Sequence, residues 1–340
     1  MQVSTIGIDL AKNVFQVHGV DAGGKVVIAK KLRRSQVLPL FAKLPPCLVG
    51  MEACATSHHW ARELKALGHD VRLMPAGYVK AYVKRNKNDA ADAAAICEAV
   101  SRPSMRFVPV KTTEQQAILM LHRTRDLLVR QRTQLINAMR AHLAEFGLIA
   151  AQGRDGLTTL IAIMRSEVSI PGMARKALHG LLGQLDALGL QISDIERLIL
   201  AEHRSNDTSR RLQTIPGIGV IGATAIAAMV PDPTVFRSGR DFAAWIGLVP
   251  RQNSSGGKER LGAISKQGNR YLRRLLVVGA TAVIRRVRAR PDKHPWLIQL
   301  LARRPAKVVA VALANKMARI AWAVLARGET YRAPALAVPV

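Results

Sequence analysis

Short apolar runs separated by turn residues fill the first hundred positions of the chain, alternating as half-buried strands do. The pattern predicts strands over residues 3–10, 14–20 and 25–31, with Asp21-Ala-Gly-Gly24 turning between the second and third. A buried strand is expected at 47–51, an amphipathic helix at 57–67 stopped by Gly68, and another strand at 71–74. The alanine-rich stretch 89–100 reads as a helix. This order is that of a mixed sheet flanked by helices.

From Thr112 the period lengthens. Leu121, Leu128 and Leu135 recur every seventh residue, and Ile118, Met139, Leu143 and Phe146 fill the same broad face. A helix of about 35 residues follows, packed on another helix. Residues 173–203 supply an antiparallel partner, either within the chain or in a second subunit. Beyond Asn206 the chain is punctuated by glycine, with helices expected at 220–229, 239–246, 268–287 and 306–326 and a frayed tail at 333–340. The expected fold is therefore α/β plus all-α: a mixed-sheet domain over 1–110, a helical coiled-coil and oligomerisation region over 111–205, and a small helical domain over 206–340.

Charge sharpens this picture. The 340 residues carry 51 Lys and Arg against 23 Asp and Glu, a net charge of +28, while 49% of residues are hydrophobic. A folded protein with a basic surface fits better than a disordered basic tail, and nucleic acid is the natural partner. Only 4% of residues are aromatic, so phosphate contact rather than base stacking should dominate. Residues 231–340 hold 21 basic against 5 acidic side chains. Between Lys266 and Lys307 lie 12 basic residues and one acid, Asp292. Cys47, Cys54 and Cys97 lack metal-site spacing and fit a reducing cytoplasm. No export signal opens the chain. The uncharged run 212–231 is interrupted by Pro216 and three glycines, so a membrane span is not expected.

Against the basic background, four acids stand out. Asp9 lies inside an apolar strand, Glu52 ends another, and Asp89 and Asp92 share one face at the start of a helix. Buried carboxylates are costly unless paired or metal-bound. Each acid alone could equally begin a turn or complement a helix dipole. Together, on a β-meander, a later strand and a helical D-x-x-D, they form a ribonuclease-H-like layout. An all-oxygen cluster suits Mg²⁺ or Mn²⁺, and such ions can clamp a phosphodiester.

In the C-terminal third, Thr214-Ile-Pro-Gly-Ile-Gly219 before a helix reads as a hairpin. Pro216, Gly217 and Gly219 there would let backbone N–H groups approach a phosphate, as in a helix-hairpin-helix DNA contact. Gly217, Gly219 and Gly222 also satisfy G-x-G-x-x-G, but a dinucleotide fingerprint needs a preceding strand, and 209–213 does not read as one. Residues 250–262 form a polar loop with Ser254 and Ser255 among Arg251, Lys258 and Arg260. Lys266, Arg270, Arg273 and Arg274 extend the candidate DNA-binding set. A serine attacking phosphorus needs its proton removed and phosphate charge stabilised, and only the second requirement is met nearby.

The runs Gly7-Ile-Asp-Leu-Ala-Lys12, Gly50-Met-Glu-Ala53 and Lys87-Asn-Asp-Ala-Ala-Asp92 resemble the DEDD pattern of the RuvC-like domain of IS110-family insertion-sequence transposases. Gly247-Leu-Val-Pro250, Ser254-Ser-Gly-Gly257 and Gly262-Ala-Ile-Ser-Lys-Gln-Gly-Asn-Arg270 extend the resemblance over nearly the whole chain. It implies a DNA recombinase that excises and inserts a mobile element. It further implies Asp9, Glu52, Asp89 and Asp92 as metal ligands for Mg²⁺ or Mn²⁺, and Ser255 as a nucleophile forming a phosphoserine bond, with Ser254 the adjacent alternative. Its expected partners are the element ends, the target DNA, a structured guide RNA from the element and further copies of the chain, as dimer or tetramer. A RuvC-like junction endonuclease using water, and a non-catalytic DNA-binding protein, are the competing readings.

Overall fold

The computed structural model describes residues 2–83, 88–166, 169–287 and 294–333. Lys87 of the third motif, Asp292 and residues 334–340 of the expected tail lie outside this set. The chain divides into two compact units, Met1–Gln115 and Gln116–Val340.

The first unit carries a five-stranded mixed sheet. Strands β1 (Thr5–Asp9), β2 (Val14–Val20) and β3 (Val26–Arg33) form the expected meander. Helix α1 (Val37–Phe41), β4 (Leu48–Glu52), α2 (Ser57–Ala66), β5 (Asp70–Met74), α3 (Ala76–Val79) and α4 (Asp89–Val100) follow. The strand order is β3-β2-β1-β4-β5, with β1, β4 and β5 parallel and β2 antiparallel to both neighbours. This topology is compatible with a ribonuclease-H-like domain. Period-two alternation assigns the faces. Ile6, Ile8, Val49 and Met51 point into one core with Phe15, Trp60 and Leu64. Leu48 packs instead with Ile96, Ala99 and Val100 of α4.

The second unit is helical apart from one hairpin. Its elements are α5 (Thr113–Ala144), which begins just before the unit boundary, α6 (Arg154–Ser166), α7 (Gly172–Ser205), α8 (Asp207–Gln213), α9 (Val220–Met229) and α10 (Gly239–Ile246). Then come β6 (Pro250–Gln252), β7 (Leu261–Ile264), α11 (Arg270–Val287), α12 (Pro295–Arg303) and α13 (Ala306–Arg327). Met139 and Leu143 of α5 share a core with Leu160 and Met164 of α6 and with Leu178, Leu182 and Leu185 of α7, so α7 packs with α5 in the same chain. A larger core joins α8 to α13, centred on Leu212, Phe242, Leu276, Ala314 and Met317. Helix α13 is long and apolar enough to cross a bilayer by composition. Its apolar face, from Val309 to Val324, is occupied by that core.

Helices α8 and α12 escape the periodicity argument because they are short, whereas α6 carries a helical period in Leu157, Leu160, Ile161 and Met164 that the sequence reading passed over. The stretch 250–262, expected as a loop, keeps a loop over 253–260 but is flanked by two short paired strands, whose alternation is masked by polar residues. The segment before the glycine hairpin is helix α8 rather than a strand, which removes the dinucleotide reading.

His122 ties α5 to α9 and α11. It is 1% exposed, with Nδ1 3.0 Å from the Tyr271 hydroxyl and Nε2 3.1 Å from Thr224 Oγ1. Burial, reinforced by the charge of Arg125, pushes its pKa down to about 4. The imidazole is therefore neutral in the folded chain. Below pH 6.5 the unfolded chain takes up a proton that the folded chain refuses, so stability falls as pH drops toward 4. The expected loss is about 3 kcal/mol. Denaturant midpoints measured between pH 7 and 4.5 should show it, and His122→Gln should flatten the pH dependence.

Candidate functional site: an acidic sheet edge and a serine hairpin

In the first unit, β1 and β4 run in parallel register, Ile8 beside Met51, so Asp9 and Glu52 are the next residues on adjacent strands. By alternation both lie on the face that carries Gly7 and Gly50, the face against α4. That helix lies against the strands because side chains are missing there. A Cβ on Gly7 would stand 2.2 Å from the Ala93 carbonyl oxygen, and one on Gly50 would stand 2.7 Å from Val100. Cys97 Sγ reaches back to the Thr5 carbonyl, so α4 runs antiparallel to β1. Its first turn, with Asp89 and Asp92, therefore lies toward the Asp9 and Glu52 end. Asn88 caps this turn, its Oδ1 accepting from the Ala91 N–H at 2.8 Å.

The register thus sets Asp9 and Glu52 side by side at the carboxyl ends of two central strands, and α4 directs its first turn toward that end. Cys54, just past β4, lies near the two strand acids: desolvation and then the charges of Glu52 and Asp9 raise its thiol pKa. Thr56, two residues on, holds a left-handed backbone at φ 72°. Such conformations are costly and cluster at working sites. Among the described residues no three His, Cys, Asp or Glu side chains are gathered as a ready-made metal cage. The donor chemistry, all carboxylate oxygen, nevertheless suits a hard divalent cation.

In the second unit, β6 and β7 project an exposed tip. Gly256 and Gly257 both have positive φ (55° and 76°), and the Lys258 N–H donates to the Ser255 carbonyl at 3.1 Å, closing a tight turn. Ser254 Oγ accepts the Arg260 N–H at 3.1 Å and serves the hairpin. Ser255 Oγ has no hydrogen-bond partner among the described residues. The hairpin base is anchored by backbone contact: Gly268 sits where a Cβ would stand 1.8 Å from the Trp245 carbonyl. The Arg273 guanidinium donates to the Ile246 and Gln267 carbonyls at 2.6 and 2.9 Å.

The remaining candidates separate by environment. Arg251, Lys258, Arg260, Lys266 and Arg270 are exposed around the hairpin. Arg273 is engaged as described, and Arg274 pairs with Asp126 and lies over the Tyr271 ring. Pro216 and Gly219 are exposed between α8 and α9, whereas Gly217 faces Met317 and Gly279. The sequence reasoning missed Arg240, Lys316 and Arg319. The i, i+3 spacing of the last two on an apolar helix was the available signal.

Two family descriptions match the chain. A DEDD domain of IS110 transposases matches residues 6–147, and the description "Transposase IS116/IS110/IS902 family" matches residues 209–295. The transposase for insertion sequence element IS1328 of Yersinia enterocolitica is 44% identical over 330 residues, covering 97% of this chain and 98% of its own length. The chain belongs to the IS110/IS116/IS902 family of transposases. The transposase for insertion sequence element IS1111A of Coxiella burnetii is also 44% identical, over 97% of this chain and 92% of its own. A Pseudomonas aeruginosa protein named "Probable family 20 transposase" is 54% identical over 98% of this chain and 99% of its own. Membership carries DNA as partner and the cleavage and rejoining of DNA strands as activity, which sets aside the non-catalytic reading. DEDD transposase domains are typically metal-dependent.

If α4 positions the two helical acids through Gly7, a methyl there should displace them. Gly7→Ala is expected to cost about 1–3 kcal/mol, seen as a lowered thermal midpoint. Strand cleavage should fall more than tenfold in a fragment-release assay.

Proposed function

We propose that this transposase excises and inserts its element by serine transesterification through Ser255, with the acids of the first unit as metal ligands. Ser255 Oγ attacks phosphorus, an O–P bond forms, and the bond from phosphorus to the displaced DNA oxygen breaks. That oxygen leaves with a proton, and the serine proton passes to a carboxylate or to water. A hydroxyl from the second strand then attacks the phosphoserine, and the Ser255 hydroxyl is restored. Each step exchanges one phosphoester for another, so no nucleotide cofactor is consumed. Arg251, Lys258 and Arg260 surround the serine with cations that offset charge on the phosphate oxygens.

Asp9, Glu52, Asp89 and Asp92 are the residues that would hold Mg²⁺ or Mn²⁺. A bound divalent ion supplies Lewis-acid stabilisation of the scissile phosphate. What supports this reading is the placement of Asp9 and Glu52 at adjacent strand ends, with α4 packed against those strands and its first turn directed toward them. The unengaged hydroxyl of Ser255 supports it as nucleophile over Ser254.

The finer organisation follows the family resemblance. Residues 1–110 act as the RuvC-like domain, 111–205 as a coiled-coil oligomerisation region and 206–340 as the transposase domain. The turn between α8 and α9 serves as a helix-hairpin-helix DNA contact through Pro216 and Gly219. A structured RNA from the element directs target and donor choice by base pairing, and the working assembly is a dimer or tetramer in the bacterial cytoplasm.

The test is metal-dependent strand exchange on synthetic element ends with target DNA and the element's RNA. Asp9→Asn and Asp92→Asn should each lower exchange at least a hundredfold in both Mg²⁺ and Mn²⁺ while DNA binding persists. Exchange that survives both substitutions would overturn the metal role.

A further inference from the structure

A second basic feature lies away from the serine tip. Between the start of α10 and one face of α13 opens a cavity of about 810 Å³, walled by Arg240, Lys316, Arg319, Asn315 and Trp296. Among the described residues no acidic side chain lines it. Arg240, Lys316 and Arg319 are all exposed, and Lys316 Nζ sits 4.5 Å over the Trp296 ring, which is 41% exposed. Three cations facing one cavity repel one another, and a polyanion relieves that repulsion.

The walls are held rigidly. A Cβ on Gly239 would meet the Arg319 backbone at 3.0 Å, so the start of α10 is pressed against α13. Asn315 Nδ2 donates to the Leu248 carbonyl at 3.0 Å, two residues before β6 begins. The cavity is therefore tied to the strand that carries the serine hairpin. A ligand seated here would be fixed relative to that hairpin.

We propose that this cavity is a second DNA-backbone site, in which Arg240, Lys316 and Arg319 hold phosphates of the DNA flanking the strand being cut. The inference rests on the DNA partner of the family and not on the serine chemistry. Duplex DNA is favoured because the sugar-phosphate edge presents the repeated charge that three separated cations match, while a single stacked base would need a Trp face that Lys316 already covers. These residues would set where the duplex lies rather than read its sequence.

The test compares wild type with a triple variant, Arg240→Gln, Lys316→Gln and Arg319→Gln, on a 30-base-pair duplex of arbitrary sequence across a salt series. The slope of log affinity against log salt should fall by about 2 to 3, and affinity near 0.15 M salt by at least tenfold. A control triple, Arg132→Gln, Arg165→Gln and Lys176→Gln, removes the same charge from the α5–α7 helices and should change the slope by less than one. Trp296→Leu keeps every charge and should lower affinity about two- to threefold at unchanged slope. Equal losses in the two triples, an unchanged slope in the first, or a loss confined to an RNA duplex would overturn the proposal. Thermal unfolding confirms that each variant folds. Wild type lacking salt-dependent duplex binding would contradict the DNA-handling reading itself, and a cavity-variant loss with Ser255 chemistry absent would leave this proposal standing.

Discussion

Helix α4 meets β1 where Gly7 has no side chain, and the proposed grouping of the four acids depends on that contact. A methyl at this position would collide with the Ala93 carbonyl, so helix and strand backbones touch. Because α4 runs antiparallel to β1, the touching places the first turn of the helix at the carboxyl end of the strand. The same device recurs at the hairpin base, where Gly268 admits the Trp245 carbonyl and Arg273 ties the neighbouring carbonyls together. In each unit a glycine lets two backbone segments touch next to the candidate residues.

Charge is distributed to match. The first unit sets Asp9 and Glu52 at adjacent strand ends, and the C-terminal third carries 21 basic and 5 acidic side chains. A nucleic-acid enzyme has opposite needs at its two kinds of site: anionic ligands for a metal, and cationic contacts for the backbone. Separating them on different elements keeps the acids from neutralising the arginines. Where an acid does meet an arginine, as Asp126 meets Arg274, the pair becomes part of the polar cluster around His122 and Tyr271.

Much of this was legible beforehand. The meander, β4, α2, β5 and α4 follow from alternation and from stop residues such as Gly68, and the long helices from heptad leucines. The α9 and α10 limits match the expected ranges because glycine and serine punctuate them. What the letters hid was mostly tertiary. The hairpin at 250–264 has no apolar face to betray it, and α8 and α12 are too short or too charged to show a period. Arg273 has its Nη1 tied to the Ile246 and Gln267 carbonyls, 27 and 6 positions away, an engagement that no local pattern shows. The cavity at Arg240, Lys316 and Arg319 arises only when α10 folds onto α13.

The central claim is that Ser255 becomes joined to DNA during strand exchange. Trapping the enzyme on a suicide DNA substrate, denaturing it and sequencing the modified peptide by mass spectrometry tests this directly. The account predicts a nucleotide-bearing phosphoserine at Ser255, still formed by Ser254→Ala and absent from Ser255→Ala. Cleavage without any covalent adduct, or an adduct mapped to another residue, would contradict it.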